Sequence, residues 1–138
     1  MISIILGHKG SGKTKSLISC VSEAVENSKG NVVCVEKETK LTYDVNYRAR
    51  LIATDDYEIK GYASFFGFLA GVCAGNHDIT DILVDATLKI GGRDYEALAD
   101  FLKKVSELSK ATEQDITFTV SCDESDLPER IFKKKKKI

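Results

Sequence analysis

The sequence predicts an α/β fold in which helices cover both faces of a mainly parallel central sheet, a three-layer α/β/α arrangement. Three observations predict it. Strand-patterned and helix-patterned segments alternate along the chain, the order that a parallel sheet with crossover helices requires. The first strand run, Ile2 to Leu6, is mostly β-branched and ends in glycine, as a strand buried on both faces does. The chain has 138 residues, 43% of them apolar and 30% charged. A globular domain of that size buries about two-thirds of its unfolded surface.

The elements follow in order. After Ile2–Leu6 and a glycine loop, Leu17, Ile18, Val21, Ala24 and Val25 recur at helical spacing, and Lys29-Gly30-Asn31 stops the helix. Val32–Val35 is a second β-branched run and Arg50–Thr54 a third, while residues 37–60 otherwise show no clear period. Tyr62–Ala74 is apolar on nearly every face, with Phe65, Phe66, Phe68 and Leu69 suited to a buried helix that ends near Gly75-Asn76. Ile79–Asp85 reads as a strand and Gly91-Gly92 as a turn. A helix over Asp94–Lys110 then presents Tyr95, Leu98, Leu102, Val105 and Leu108 on one face. Ile116–Ser121 alternates as a final strand, and Asp126-Leu127-Pro128 starts a short helical turn. One domain over residues 1–132 and a basic tail over 133–138 are expected.

Composition excludes several classes. No apolar run reaches the roughly 18 residues of a spanning helix, and Ile2–Leu6 is too short for a secretory signal. The four cysteines, Cys20, Cys34, Cys73 and Cys122, form no C-x-x-C pair, and only His8 and His77 could assist a metal. Reduced thiols and a cytoplasmic location are therefore expected. Net charge is −1, but five of the 20 basic residues sit in Lys133–Lys137 against 21 acidic residues overall. The body is acidic, which argues against nucleic-acid binding except through the lysine tail, and a terminal charge run more often serves as a solvated tail.

Gly7-His8-Lys9-Gly10-Ser11-Gly12-Lys13-Thr14 has the spacing G-x-x-x-x-G-K-[ST], between a strand and a helix. Glycines there let backbone N–H groups turn inward around a polyphosphate, and the positive end of the helix adds a favourable field. Lys13 would reach the β and γ phosphates and the Thr14 hydroxyl would coordinate Mg²⁺. A glycine turn that only caps the helix is the plainer alternative. Ile82-Leu83-Val84-Asp85 ends an apolar strand in a carboxylate, which either caps a turn or stands beside the loop as a metal position.

On the Gly7–Thr14 loop and on Asp85 the chain resembles the P-loop NTPase superfamily. The resemblance implies Mg²⁺ and a nucleoside triphosphate as ligands, with Thr14 and Asp85 at the metal. GTPases of the superfamily carry D-x-x-G and N-K-x-D, and neither occurs here, so ATP is expected over GTP. Kinases of this fold bring an arginine-rich lid, whereas this chain has only Arg48, Arg50, Arg93 and Arg130. Partitioning ATPases place a lysine directly after the first glycine, where His8 stands, with Lys9 one later.

Many ATPases place a glutamate directly after the strand-ending Asp, and Ala86 occupies that site. RecA-like proteins can take it from the end of a neighbouring strand, which points to Glu36 or Glu38, although a solvated Glu-Lys-Glu loop is an equal reading. Ser121 matches the polar sensor such proteins hold near the γ-phosphate, and Arg93 and Arg130 are arginine-finger candidates by position. In size and layout the chain is similar to small bacterial proteins labelled twitching-motility, or pilus-retraction-like, ATPases. That resemblance implies a slow ATPase, with turnover set by homo-oligomerisation or a protein partner. A nucleotide-sensing module without hydrolysis and a small-molecule phosphotransferase are the rival readings, the latter needing an acceptor pocket between residues 37 and 75.

Overall fold

The computed structural model describes residues 1–132 and 136–137. Its strands are β1 (Ile2–Leu6), β2 (Asn31–Glu36), β3 (Arg50–Ala53), β4 (Ile79–Val84), β5 (Asp115–Val120) and the two-residue β6 (Lys136–Lys137). Its helices are α1 (Lys13–Asn27), α2 (Gly61–Gly75), α3 (Thr87–Gly91) and α4 (Tyr95–Thr112). Every strand pair is parallel, in the order β3-β2-β4-β5-β1-β6. The expected α/β fold is the observed one. Of the tail expected at 133–138, only Lys136–Lys137 falls within the described residues.

Period-two alternation divides β1, β2 and β4 between two cores, while β5 gives its apolar residues to one. On one face Ile2, Ile4, Val33, Val35, Ile82, Val84, Ile116, Phe118 and Val120 pack against α2, α3 and α4. On the other, Ile5, Val32, Cys34 and Leu83 pack against Leu17, Val21 and Val25 of α1. The aromatic residues of α2 serve the first core, where Phe65 is fully buried and stacks on Phe101 at 4.9 Å between ring centres. Among the described residues, no helix is long and apolar enough to cross a membrane.

The segment without a legible period has a simple explanation. Leu41, Val45 and Ala49 are buried against α1, completing the second core from a loop rather than a helix. Their spacing of four is the signal, but the residues between them, Tyr43 and Tyr47 included, are mostly exposed. A 3-10 turn at Thr54–Tyr57 closes the segment after β3.

The other departure is α3, which the glycine turn at 91–92 had concealed. Only Gly92 takes the turn conformation, with φ 110°, while Gly91 ends α3. Gly91 is required for close approach: a Cβ there would sit inside the Tyr62 ring. Tyr62 Oη donates to the Gly92 carbonyl at 2.7 Å and holds the two elements together. By contrast, a Cβ at Gly67 on α2 meets open space. Urea unfolding is therefore expected to show Gly91→Ala destabilised by about 1–3 kcal/mol. Gly67→Ala is expected to be stabilised by about 0.5–1 kcal/mol, the ordinary cost of glycine in a helix.

Candidate functional site

Because all strands run the same way, their C-terminal ends share one edge of the sheet, where open α/β folds bind ligands. The Gly7–Thr14 loop follows β1, Glu36 ends β2, Asp85 follows β4, and Ser121 follows β5. Sheet order places β5 directly between β1 and β4. A residue at the end of β5 therefore stands between the loop and Asp85.

The loop has the backbone that its glycines permit. Gly10 and Gly12 have φ of 85° and 92°, a region that side chains with a Cβ resist. Ser11 N donates to His8 O at 3.0 Å and tightens the turn. The first helical bond of α1 is Ser16 N to Gly12 O, which leaves the N–H groups of Lys13, Thr14 and Lys15 without a helical acceptor. No side chain caps α1, and no acidic residue lies in its first turn. The contrast with α4 is informative, for there Asp94 accepts from Glu96 N and Ala97 N, both at 3.1 Å, and Glu96 lies in the first turn. An uncapped helix start wrapped by glycine backbone is a ready anion site.

Lys13 is buried, and its Nζ donates to His8 O at 2.7 Å, inside the loop. Thr14 Oγ1 lies 3.3 Å from both carboxylate oxygens of Asp85. His8 Nε2 lies 2.6 Å from Asp123 Oδ1, tying the loop to the segment after β5. Lys9 is exposed on the loop rim. The two residues that differ from the partitioning-ATPase pattern thus lie at the loop's edge.

Asp85 is fixed from two sides. Its N–H donates to Val35 O at 2.8 Å, and its Oδ1 accepts from Thr119 Oγ1 at 2.8 Å. The same Thr119 hydroxyl accepts from Ala86 N at 2.7 Å, so one buried hydroxyl orients both the carboxylate and the turn after it. Sequence alternation gives no reason to single out Thr119, which falls on the polar side of β5. Its signal was a threonine in a strand whose two faces are both covered.

Glu36 is buried, and its oxygens accept from Lys40 N at 2.9 Å and Leu41 N at 3.3 Å. It is not a solvated loop residue. Glu38 is exposed and pairs with Lys40 at 3.2 Å and Lys37 at 3.7 Å. Burial, with the charges of Glu36 and then Asp85, pushes the Cys34 thiol up to about 12. All four cysteines are free thiols.

Two cavities open at this edge. The loop cavity, about 450 Å³, is lined by His8, Lys9, Gly10, Lys13, Asp85 and Thr119, with Arg93 and Ser121 on its wall. A second, about 330 Å³, is lined by Glu36, Lys37, Glu38, Lys40 and Leu41. Thr14, Asp85, Ala86 and Lys89 line both. Arg93 donates to Ser121 O at 3.2 Å, whereas Arg130 is bound to Asp100 at 2.9 Å and to Glu96 at 3.2 Å, away from either cavity.

Thr14 and Asp85 suit a magnesium ion, which takes one or two protein oxygens and fills its remaining positions with water and phosphate. Among the described residues no group of three His, Cys, Asp or Glu side chains could hold a metal alone. The donor set therefore fits a metal that arrives with phosphates and does not fit an all-protein cage.

A scan of protein-family models and a search of curated proteins return no match. The geometry of the site carries the functional argument by itself.

Thr119→Val keeps the shape of the side chain but removes the acceptor of Ala86 N and the nearer of the two donors to Asp85 Oδ1. It is expected to lower stability by about 1–3 kcal/mol in chemical denaturation, with Thr119→Ser restoring most of the loss.

Proposed function

We propose that the chain binds Mg-ATP on the Gly7–Thr14 loop and hydrolyses it slowly, as a P-loop NTPase with RecA-like features. The observation that carries this reading is the open start of α1, where unpartnered N–H groups, Lys13 and the Thr14–Asp85 pair converge on one cavity. A structural turn would have no need of that convergence. Gly10 and Gly12 let the backbone approach the phosphates, and Lys13 exchanges His8 O for phosphate oxygens. Thr14 and Asp85 would hold magnesium, which would supply charge neutralisation on the phosphates. The absence of a guanine-reading motif favours ATP over GTP.

Of the two candidate glutamates, Glu36 is the better placed. It lines the second cavity beside Thr14 and Asp85, and two backbone N–H groups fix its carboxylate. A carboxylate offers about four acceptor positions, so two remain to orient a water. Glu38 is occupied by Lys37 and Lys40. The water oxygen bonds to the γ phosphorus as the bond to the β–γ bridging oxygen breaks. That oxygen leaves with the electron pair on ADP, and one water proton passes through Glu36 to solvent.

The free thiols support a reducing, cytoplasmic setting. One observation favours a second reading: the cavity lined by Lys37, Glu38, Lys40 and Leu41 lies where a phosphotransferase would need its acceptor pocket.

Thermal denaturation with Mg-ATP is expected to raise the melting temperature, because a ligand that prefers the native state stabilises it by mass action. Lys13→Ala should abolish the rise. No shift at millimolar Mg-ATP or Mg-GTP would end the binding reading. Wild-type phosphate release equal to that of Lys13→Ala would remove hydrolysis while leaving binding in place. Label passing from γ-phosphate to a small molecule rather than to water would favour the phosphotransferase.

A further inference from the structure

The two cavities share four residues, and Lys89 is the one cation among them. Thr14 and Asp85 are also shared, and they are the residues that would hold a magnesium arriving with phosphates. The terminal phosphate of a triphosphate on the loop would then lie near the junction of the cavities. We propose that Lys89 contacts the terminal phosphate, makes the site prefer ATP to ADP, and stabilises the charge that develops during phosphoryl transfer. This rests on the Mg-ATP reading of the loop and adds a residue that the loop motif does not contain.

Three independent features support Lys89. The first is availability. Lys37 is paired with Asp55 at 2.9 Å and Lys40 with Glu38 at 3.2 Å, whereas Lys89 has no anionic partner among the described residues. Arg93 lines only the loop cavity, and Arg130 is held by Glu96 and Asp100.

The second is placement. Ala86 has φ 56° and ψ 53°, a left-handed conformation that a residue with a Cβ adopts only where its surroundings hold it. That conformation turns the chain immediately after Asp85 and starts α3, where Lys89 N donates to Ala86 O at 3.0 Å. Without this turn, β4 would carry the following residues away from the loop. The Ala86 N–H bond to Thr119 Oγ1 holds the turn in place.

The third is rigidity. Leu88 and Ile90 on either side of Lys89 are buried, and Thr87 is fully enclosed. Tyr62 packs on Gly91 and donates to Gly92 O, which fixes the far end of α3. The backbone under Lys89 is thus built to a fixed position while its ammonium is exposed. A cation carried on a fixed backbone beside the place where charge develops has less to reorganise as phosphoryl transfer proceeds. The cation comes from the same chain as the loop, so no arginine from a partner is required.

Calorimetric titration with Mg-ATP and Mg-ADP, together with steady-state phosphate release, tests the assignment. Lys89→Ala and Lys89→Gln should each weaken ATP binding about tenfold to hundredfold, the value of one charge-assisted hydrogen bond. ADP binding should change less than about twofold. The turnover number should fall about a hundredfold, Lys89→Arg should recover most of both losses, and Lys110→Ala on exposed α4 surface should match wild type. Turnover per chain should stay constant on dilution. Equal losses for ATP and ADP, or unchanged ATP binding in both variants, would overturn the role of Lys89 while the loop reading stood. Activity per chain that falls on dilution would overturn the same-chain cation. If wild type binds neither nucleotide, and so matches Lys13→Ala, the loop reading fails and the assignment of Lys89 falls with it.

Discussion

A strand that runs parallel to its neighbours cannot be joined to them by a tight turn, so each connection must cross a face of the sheet and re-enter at the same end. In this chain that requirement orders almost everything else. It puts helices on both faces, so the inner strands are covered on both sides. It also gathers the C-terminal ends of β1, β2, β4 and β5 along a single edge, so residues more than a hundred positions apart in the chain become neighbours. The site is a consequence of strand direction before it is a consequence of any side chain.

At that edge the problem is to keep charged groups ready without letting them neutralise one another. The fold does so with fixed backbone and short hydroxyl bridges. Asp85 is held by the Val35 carbonyl through its own N–H and by the Thr119 hydroxyl. Glu36 is held by two loop N–H groups, and Lys13 by the loop carbonyl of His8. Neither Asp85 nor Lys13 is tied up in a mutual ion pair, so a phosphate and a cation entering together can each find a partner. The left-handed turn at Ala86 is part of the same arrangement, since it keeps α3 close to the loop.

Much of the architecture was legible because long amphipathic or uniformly apolar segments leave strong patterns. Ile2–Leu6, the α1 positions Leu17, Val21 and Val25, and the α4 positions Leu98, Leu102 and Val105 all lie where periodicity put them. The segment 37–60 was opaque because it buries only isolated residues, Leu41, Val45 and Ala49, on a loop with no regular period. The short helix α3 was opaque because five residues cannot display a helical repeat, and the adjacent glycines suggested a turn instead. Tyr62 explains the two glycines, since its ring requires Gly91 and its hydroxyl donates to the Gly92 carbonyl.

By itself the sequence determined the parallel α/β class, the glycine loop between β1 and α1, and the position of Asp85 at a strand end. Each of these is a local matter of spacing, conformational freedom or periodicity, and each is written in contiguous residues. Only the tertiary structure decided that β5 lies between β1 and β4, and hence that Thr119 joins Asp85 to Ala86. It alone separated Glu36 from Glu38 by burial, set Arg130 apart from the site, and brought Lys89 to the junction of two cavities. Strand order is a choice among crossovers of nearly equal local cost, settled by how the two cores pack together, and no single segment of the chain carries that information.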